Sequence, residues 1–253
     1  MNYEIHGTVP ARPLITIHPW LGLADVFPSL IRNCQLIAVE FQGHGRTADI
    51  DRPMTFEQDA EDIAALLKYL GIGQADFFGE SFGGTTAVQM AVRHPEMVRR
   101  VAIFGSILGR IEELVPPESL AEFMRLTPDH RSIQVEREAY ERVAPDPSQW
   151  PTLFAKSTRM GWQGFSQDDL KSIKAPVLIM TGDHDVLVPP VEHHAQMSRL
   201  IPNGQLAVIP DAGHFVLYED AEKVLPIVAN FLDSTSTVPF ATTISGYHPG
   251  EIR

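Results

Sequence analysis

Three residues with reactive side chains stand where apolar runs end: Ser81, Asp185 and His214. A neutral serine hydroxyl is a poor nucleophile and needs a base within hydrogen-bond reach. A histidine can take that proton, and a carboxylate on its other ring nitrogen fixes the tautomer and supports the imidazolium. Ser81 lies inside Gly79-Glu80-Ser81-Phe82-Gly83-Gly84, a Gly-x-Ser-x-Gly pattern between an apolar run at 75–78 and a helical pattern at 85–93. A strand that turns at once into a helix strains the middle residue and pushes its side chain out over the sheet edge. Gly79 and Gly83 flank the turn because a Cβ there would collide with the close strand–helix approach. A glycine-rich turn with an ordinary serine satisfies the five residues alone; the strand before and the helix behind favour a nucleophile. Serine, then acid, then histidine is also the order expected with such an elbow.

Rivals exist for two of these roles. Ten histidines compete for the base. His18 and His44 sit in loops and read as structural, while His193 and His194 fall on a helix away from strand ends and read as solvated. For the acid, Asp183 stands two residues before Asp185.

The elements needed to carry these residues are legible in order. Strands are expected at 3–7, 13–17, 35–40, 75–78, 98–105, 175–180 and 205–209, and most are near-continuous apolar runs, as for strands covered on both faces. Helices are expected at 55–70, with Thr55 as N-cap and Gly71 as stop, at 85–93, at 191–200 and at 221–232, where Pro226 should kink the last one. Alternating strands and helices imply a mostly parallel sheet wound on both faces. Between 107 and 173 that rhythm stops, and helices at 118–126 and 133–143 lie between proline-bearing joints. Such an insertion should form a helical cap above Ser81. The expected division is a core from 1–106 and 174–233, a cap over 107–173 and a tail at 234–253.

Composition narrows the class. The 253 residues are 44% hydrophobic and 21% charged, as in an ordinary globular protein. A formal charge of −12 repels phosphate backbones and anionic lipid, so neither nucleic acid nor membrane is an expected partner. The single cysteine, Cys34, reads as a buried thiol and points to a reducing, cytoplasmic setting. The first residues carry no signal-peptide pattern, and no apolar run approaches a membrane span.

His18-Pro19-Trp20, Gly43-His44-Gly45-Arg46, the Ser81 elbow, His94-Pro95-Glu96, Gly182-Asp183-His184-Asp185 and Gly213-His214 together resemble the α/β-hydrolase fold superfamily. The resemblance implies an α/β-hydrolase fold with Ser81 as nucleophile, His214 as base and Asp185 as acid, the family's Gly-x-x-Asp spacing choosing Asp185 over Asp183. It also implies an oxyanion hole from the backbone N–H groups of Phe82 and Trp20. Where similar enzymes read His-Gly-x, this chain has Pro19 in the glycine place, which alters the loop but leaves Trp20 able to donate. Substrate-pocket candidates are Trp20, Phe123, Met124, Tyr140, Phe154 and Trp162. The activity implied is acyl-enzyme hydrolysis of small to medium apolar esters or lactones, with no metal or cofactor and with a homodimer possible. Two alternatives share the triad: carbon–carbon hydrolysis of a diketone-type ring-cleavage product, and a ligand receptor with little turnover. Residues 234–253 are expected to cover a sheet edge or a partner subunit.

Overall fold

The apolar runs become strands whose successive side chains face opposite ways, and both faces are covered. In the computed structural model, which describes residues 1–7, 11–22, 30, 34–188 and 190–234, the strands are β1 (Asn2–His6), β2 (Arg12–Ile17), β3 (Cys34–Glu40), β4 (Ala75–Glu80), β5 (Val98–Phe104), β6 (Val177–Gly182) and β7 (Gly204–Ile209). They form one sheet in the order β1-β3-β2-β4-β5-β6-β7. Only β1 is antiparallel, pairing Asn2 with Glu40 and His6 with Leu36. All other pairings are parallel. The expected α/β-hydrolase fold, with its mostly parallel doubly wound sheet, is what the chain adopts.

The alternation of side chains sorts the core into two layers. Ile15, Ile17, Ile37, Val39, Val101, Ile103, Val177 and Ile179 point to one face. Leu14, Leu36, Ala38, Ala102, Phe104, Leu178 and Met180 point to the other. The first face is covered by α1 (Phe56–Tyr69), α2 (Phe82–Arg93) and α8 (Val191–Leu200), through residues such as Ile63, Leu67, Val88, Met90 and Met197. The second is covered by α9 (Val216–Glu219) and α10 (Leu225–Asp233). Cys34 is the buried thiol expected, its pKa pushed up to about 11 chiefly by burial.

Thr55 caps α1 as expected, its side chain accepting from Gln58 N–H at 3.1 Å. Two helices differ from expectation. The helix after the elbow begins at Phe82, immediately behind Ser81, rather than at 85. The last helix is shorter than expected. A single 3-10 turn, Ala221–Lys223, precedes α10, and Pro226 sits in the first turn of α10 instead of kinking its interior. At that position the missing N–H has no intrahelical acceptor to lose.

Between β5 and β6 the chain makes no strand. It carries α3 (Ile111–Leu114), α4 (Pro117–Phe123), α5 (Gln134–Val143), α6 (Trp150–Thr158) and α7 (Gln167–Ser172), where sequence patterning had shown two helices. The short ones have too few turns for a periodic signal. Lys156 of α6 ties this insertion to the loop after β3, reaching Asp49 Oδ2 at 2.6 Å and Ile50 O at 2.8 Å. No helix among the described residues is long and apolar enough to cross a membrane. The tail at 235–253 lies outside the described residues.

Candidate active site

The elbow explains the glycines around it. Ser81 has φ 51° and ψ −117°, a left-handed backbone that a β-carbon residue adopts only under constraint. Its N–H donates to Phe104 O at 2.8 Å, which locks the turn to the end of β5. A Cβ at Gly79 would lie 2.3 Å from Gly83 O, and one at Gly83 would lie 2.2 Å from Ile17 O. Gly79 therefore lets strand β4 and helix α2 approach closely, and Gly83 does the same for α2 and the end of β2. The Ser81 hydroxyl makes no hydrogen bond among the described residues.

His214 and Asp185, which are far apart in sequence, meet beyond the carboxyl ends of β6 and β7. His214 Nδ1 is 2.9 Å from Asp185 Oδ2, with the Asp185 side chain 1% exposed and the His214 side chain 9%. Because a carboxylate only accepts, Nδ1–H donates and Nε2 keeps its lone pair. Asp185 Oδ1 accepts from Leu187 N–H at 3.0 Å, which orients the carboxylate. The strand end that holds Ser81 also touches this pair: a Cβ at Gly105 would sit 3.0 Å from His214 Nδ1 and 3.2 Å from Asp185 Oδ2. Phe104 and Gly105 thus connect all three residues. The rival Asp183 instead accepts from Ala212 N–H at 3.2 Å and fastens the loop before His214.

The loop after β2 is held by His18. Its Nδ1–H donates to Pro19 O at 2.8 Å and its Nε2 accepts from Phe41 N–H at 3.2 Å, so the ring is neutral. Burial lowers its pKa to about 4. His44 stacks 4.8 Å away and donates from Nδ1 to Gln42 O at 3.0 Å; burial and then neighbouring His18 lower its pKa to about 3. This pinning carries Pro19 and Trp20 past the elbow, with Pro19 O accepting from Gly22 N–H at 3.0 Å. No backbone hydrogen bond among the described residues uses the Trp20 N–H. The Phe82 N–H opens α2, where no intrahelical acceptor exists.

Of the pocket candidates, Trp20 meets Phe123 at 4.9 Å, Phe154 at 6.0 Å and the Phe82 ring at 6.5 Å between centroids. The others have different neighbours. Met124 is 54% exposed, Tyr140 packs on Trp150 inside the insertion, and Trp162 packs on Phe56 and Phe165. A narrow cavity of about 20 Å³ opens beside Trp20 and Phe82, walled also by Gln42, Met54, Asp59 and Met160. Sequence reasoning missed Asp59, although Phe56, Asp59 and Ile63 share one face of α1, so an acid stood on an apolar stripe. His193 and His194 correct a second expectation. They are 8% and 1% exposed rather than solvated, because they share the inward face of α8 with Met197 and Ser198 one turn later. His194, its pKa lowered chiefly by burial, lies near enough to Asp185 to feel that charge.

A parallel sheet wound on both faces, with a strained serine at a strand–helix elbow and a histidine–carboxylate pair at neighbouring strand ends, defines a class of hydrolytic enzymes. The alpha/beta hydrolase family profile matches residues 5–227, and the chain belongs to that family. It is 31% identical over 260 residues to a poly(3-hydroxyalkanoate) depolymerase of Ectopseudomonas oleovorans, covering 91% of this chain and 89% of the relative. It is 25% identical over 258 residues to a 2-hydroxy-6-oxo-2,4-heptadienoate hydrolase of Pseudomonas putida, covering 90% and 92%. Among solved structures, an N-acyl homoserine lactone degrading enzyme superposes with a TM-score of 0.73 at 25% identity, covering 91% of this chain and 96% of that one. The protein is a hydrolase.

Proposed function

We propose that the chain hydrolyses carboxylic esters or lactones through an acyl-enzyme on Ser81. The observation that carries this reading is the His214–Asp185 pair at 2.9 Å beside the strand end to which the Ser81 N–H is bonded. With Nδ1–H committed to Asp185, His214 Nε2 takes the proton as Ser81 Oγ attacks the carbonyl carbon. The oxygen of the tetrahedral intermediate is held by the N–H groups of Trp20 and Phe82. Collapse expels the alcohol, which leaves with the proton carried by His214. Water then attacks the acyl-enzyme with the same histidine as base, and Ser81 is released. Asp185, shielded from solvent, stabilises the imidazolium formed in each half. The insertion acts as a cap that limits water and shapes the acyl site.

The relatives named above include one that acts on a polyester and one that degrades a lactone, which supports oxygen esters as the substrate class. The 2-hydroxy-6-oxo-2,4-heptadienoate hydrolase relative supports a second reading, hydrolysis of a carbon–carbon bond next to a carbonyl by the same residues. Fluorophosphonate labelling mapped by mass spectrometry, then a panel of esters, lactones and one such diketone, separates the two. Ser81→Ala should lower kcat on the accepted ester by roughly 10⁴- to 10⁶-fold and abolish labelling. Near-wild-type turnover in that variant would end the proposal.

A further inference from the structure

We propose that Asp59 is a specificity-determining residue, recognising a hydroxyl group on the acyl part of the substrate; the proposal rests on the hydrolase reading above. Asp59 lies in the first turn of α1, is 5% exposed, and lines the cavity that opens beside Trp20 and Phe82. No hydrogen bond or ion pair reaches its carboxyl among the described residues. The charged groups that influence it are Asp62, Arg52 and Glu57. Arg52 is already committed to Asp62 and to Gln42 Oε1. A buried carboxyl without a partner is a costly arrangement, and the interior of a fold rarely keeps one without use.

The surroundings select the chemistry of the guest. Burial, and next the charge of Asp62, raise the pKa of Asp59 well above the usual carboxylate value, so the group tends to the neutral acid. A neutral acid offers one donor and one acceptor. Two further polar groups on the same cavity wall are open: the Trp20 Nε1–H is buried without a partner, and His44 uses Nδ1 for Gln42 O, leaving Nε2 as an acceptor. Of the other walls, Met54, Phe56, Phe82 and Met160 are apolar, while Gln42 is bonded to Asp49 and Arg52 and Ser157 donates to Phe154 O. At about 20 Å³ the space holds one water-sized group. A hydroxyl matches that size and can both give and receive a hydrogen bond. An ammonium group would need the carboxylate form that burial disfavours. Because Trp20 and Phe82, the residues whose N–H groups would hold the acyl oxygen, both line the cavity, the hydroxyl is assigned to the acyl chain.

The test compares kcat/KM for p-nitrophenyl butyrate with that for the 2-hydroxybutyrate, 3-hydroxybutyrate and 3-aminobutyrate esters. The proteins are the wild type, Asp59→Leu, Asp59→Ala and Asp59→Asn. Fluorophosphonate labelling of Ser81 in each reports an intact site. At least one hydroxy ester should be preferred over butyrate by about 10- to 100-fold in the wild type. That preference should vanish in Asp59→Leu and be partly kept in Asp59→Asn, whose amide still donates and accepts; Asp59→Ala serves as the apolar variant if leucine prevents folding. A labelled wild type with no hydroxyl preference, or one that persists in the apolar variants, overturns the proposal. So does a preference for the amino ester that is lost in both Asn and apolar variants, which would make Asp59 a cation site. A wild type that neither labels nor turns over any ester overturns the hydrolase reading, and this inference with it.

Discussion

Buried histidines make the site sensitive to acid in a direction that follows from their surroundings. The folded-state pKa values of His18 and His44, about 4 and about 3, lie below the ordinary value of 6.5. The unfolded chain therefore binds more protons between those limits, and the stability these residues contribute is complete above pH 6.5 and is lost as pH falls toward 4. His193, lowered to about 4 by burial and next by His194, adds to the same trend. Asp59 and Asp76, both raised chiefly by burial, act with the opposite sign, their contribution falling as pH rises. His194 is lowered by burial as well, so four histidines with depressed values outnumber the two carboxyls with raised ones, and on balance acid should destabilise the fold between pH 7 and 5. Thermal unfolding should show a loss of about 1–2 kcal/mol per buried histidine over that interval. His44→Gln should flatten the profile; an unchanged slope would mean that the histidines are not what acid attacks.

Among the elements, the contact between β2, β4 and α2 has no slack. Gly83 at the start of α2 faces Ile17 O at the end of β2, and an added Cβ would stand 2.2 Å away. Backbone lies on both sides, so neither partner can rotate aside as a side chain would. Gly83→Ala should cost about 1–3 kcal/mol as an overpacked contact. It should also tilt the elbow, so kcat falls more than stability alone explains. Denaturation curves and ester kinetics on one preparation check both; a neutral effect on each would show that helix and strand can part. The elbow was legible in the sequence because its strand, turn and helix are contiguous and the glycine spacing is local. Within the insertion α4 and α5 were legible too, but α3, α6 and α7 were not, since each is short and set by a cap or a proline joint rather than by an apolar period. Ser166, for example, exchanges hydrogen bonds with Asp169 to start α7.

For the whole molecule, the proposed chemistry and the ionic cohesion occupy opposite ends of the sheet. Ser81, Asp185 and His214 lie beyond the carboxyl ends of their strands. At the amino ends, buried Asp76 forms an ion pair with Arg12 at 2.6 Å and accepts a hydrogen bond from Arg99, while Arg12 reaches Asp233 at 2.7 Å and Arg99 reaches Leu232 O at 2.7 Å. This cluster fastens β2, β4 and β5 to the end of α10. Asp76→Ala would leave the partly buried Arg12 and Arg99 short of a counter-charge, at a cost of about 1–3 kcal/mol. In a chain of this size that lowers Tm by about 3–10 °C, while turnover measured well below Tm should persist. A loss of turnover without loss of Tm would contradict the separation. The positions of the strands along the chain, the elbow and the two-faced sheet could be read from the sequence alone, because each depends on apolar period, capping and glycine within a short span; the order of strands across the sheet could not. Tertiary structure alone decided that His193 and His194 are buried and that Asp59 faces a cavity. It also brought Asp185 to His214 across 29 residues of chain. Burial and pairing depend on segments remote in sequence, and no local pattern records which of them will meet.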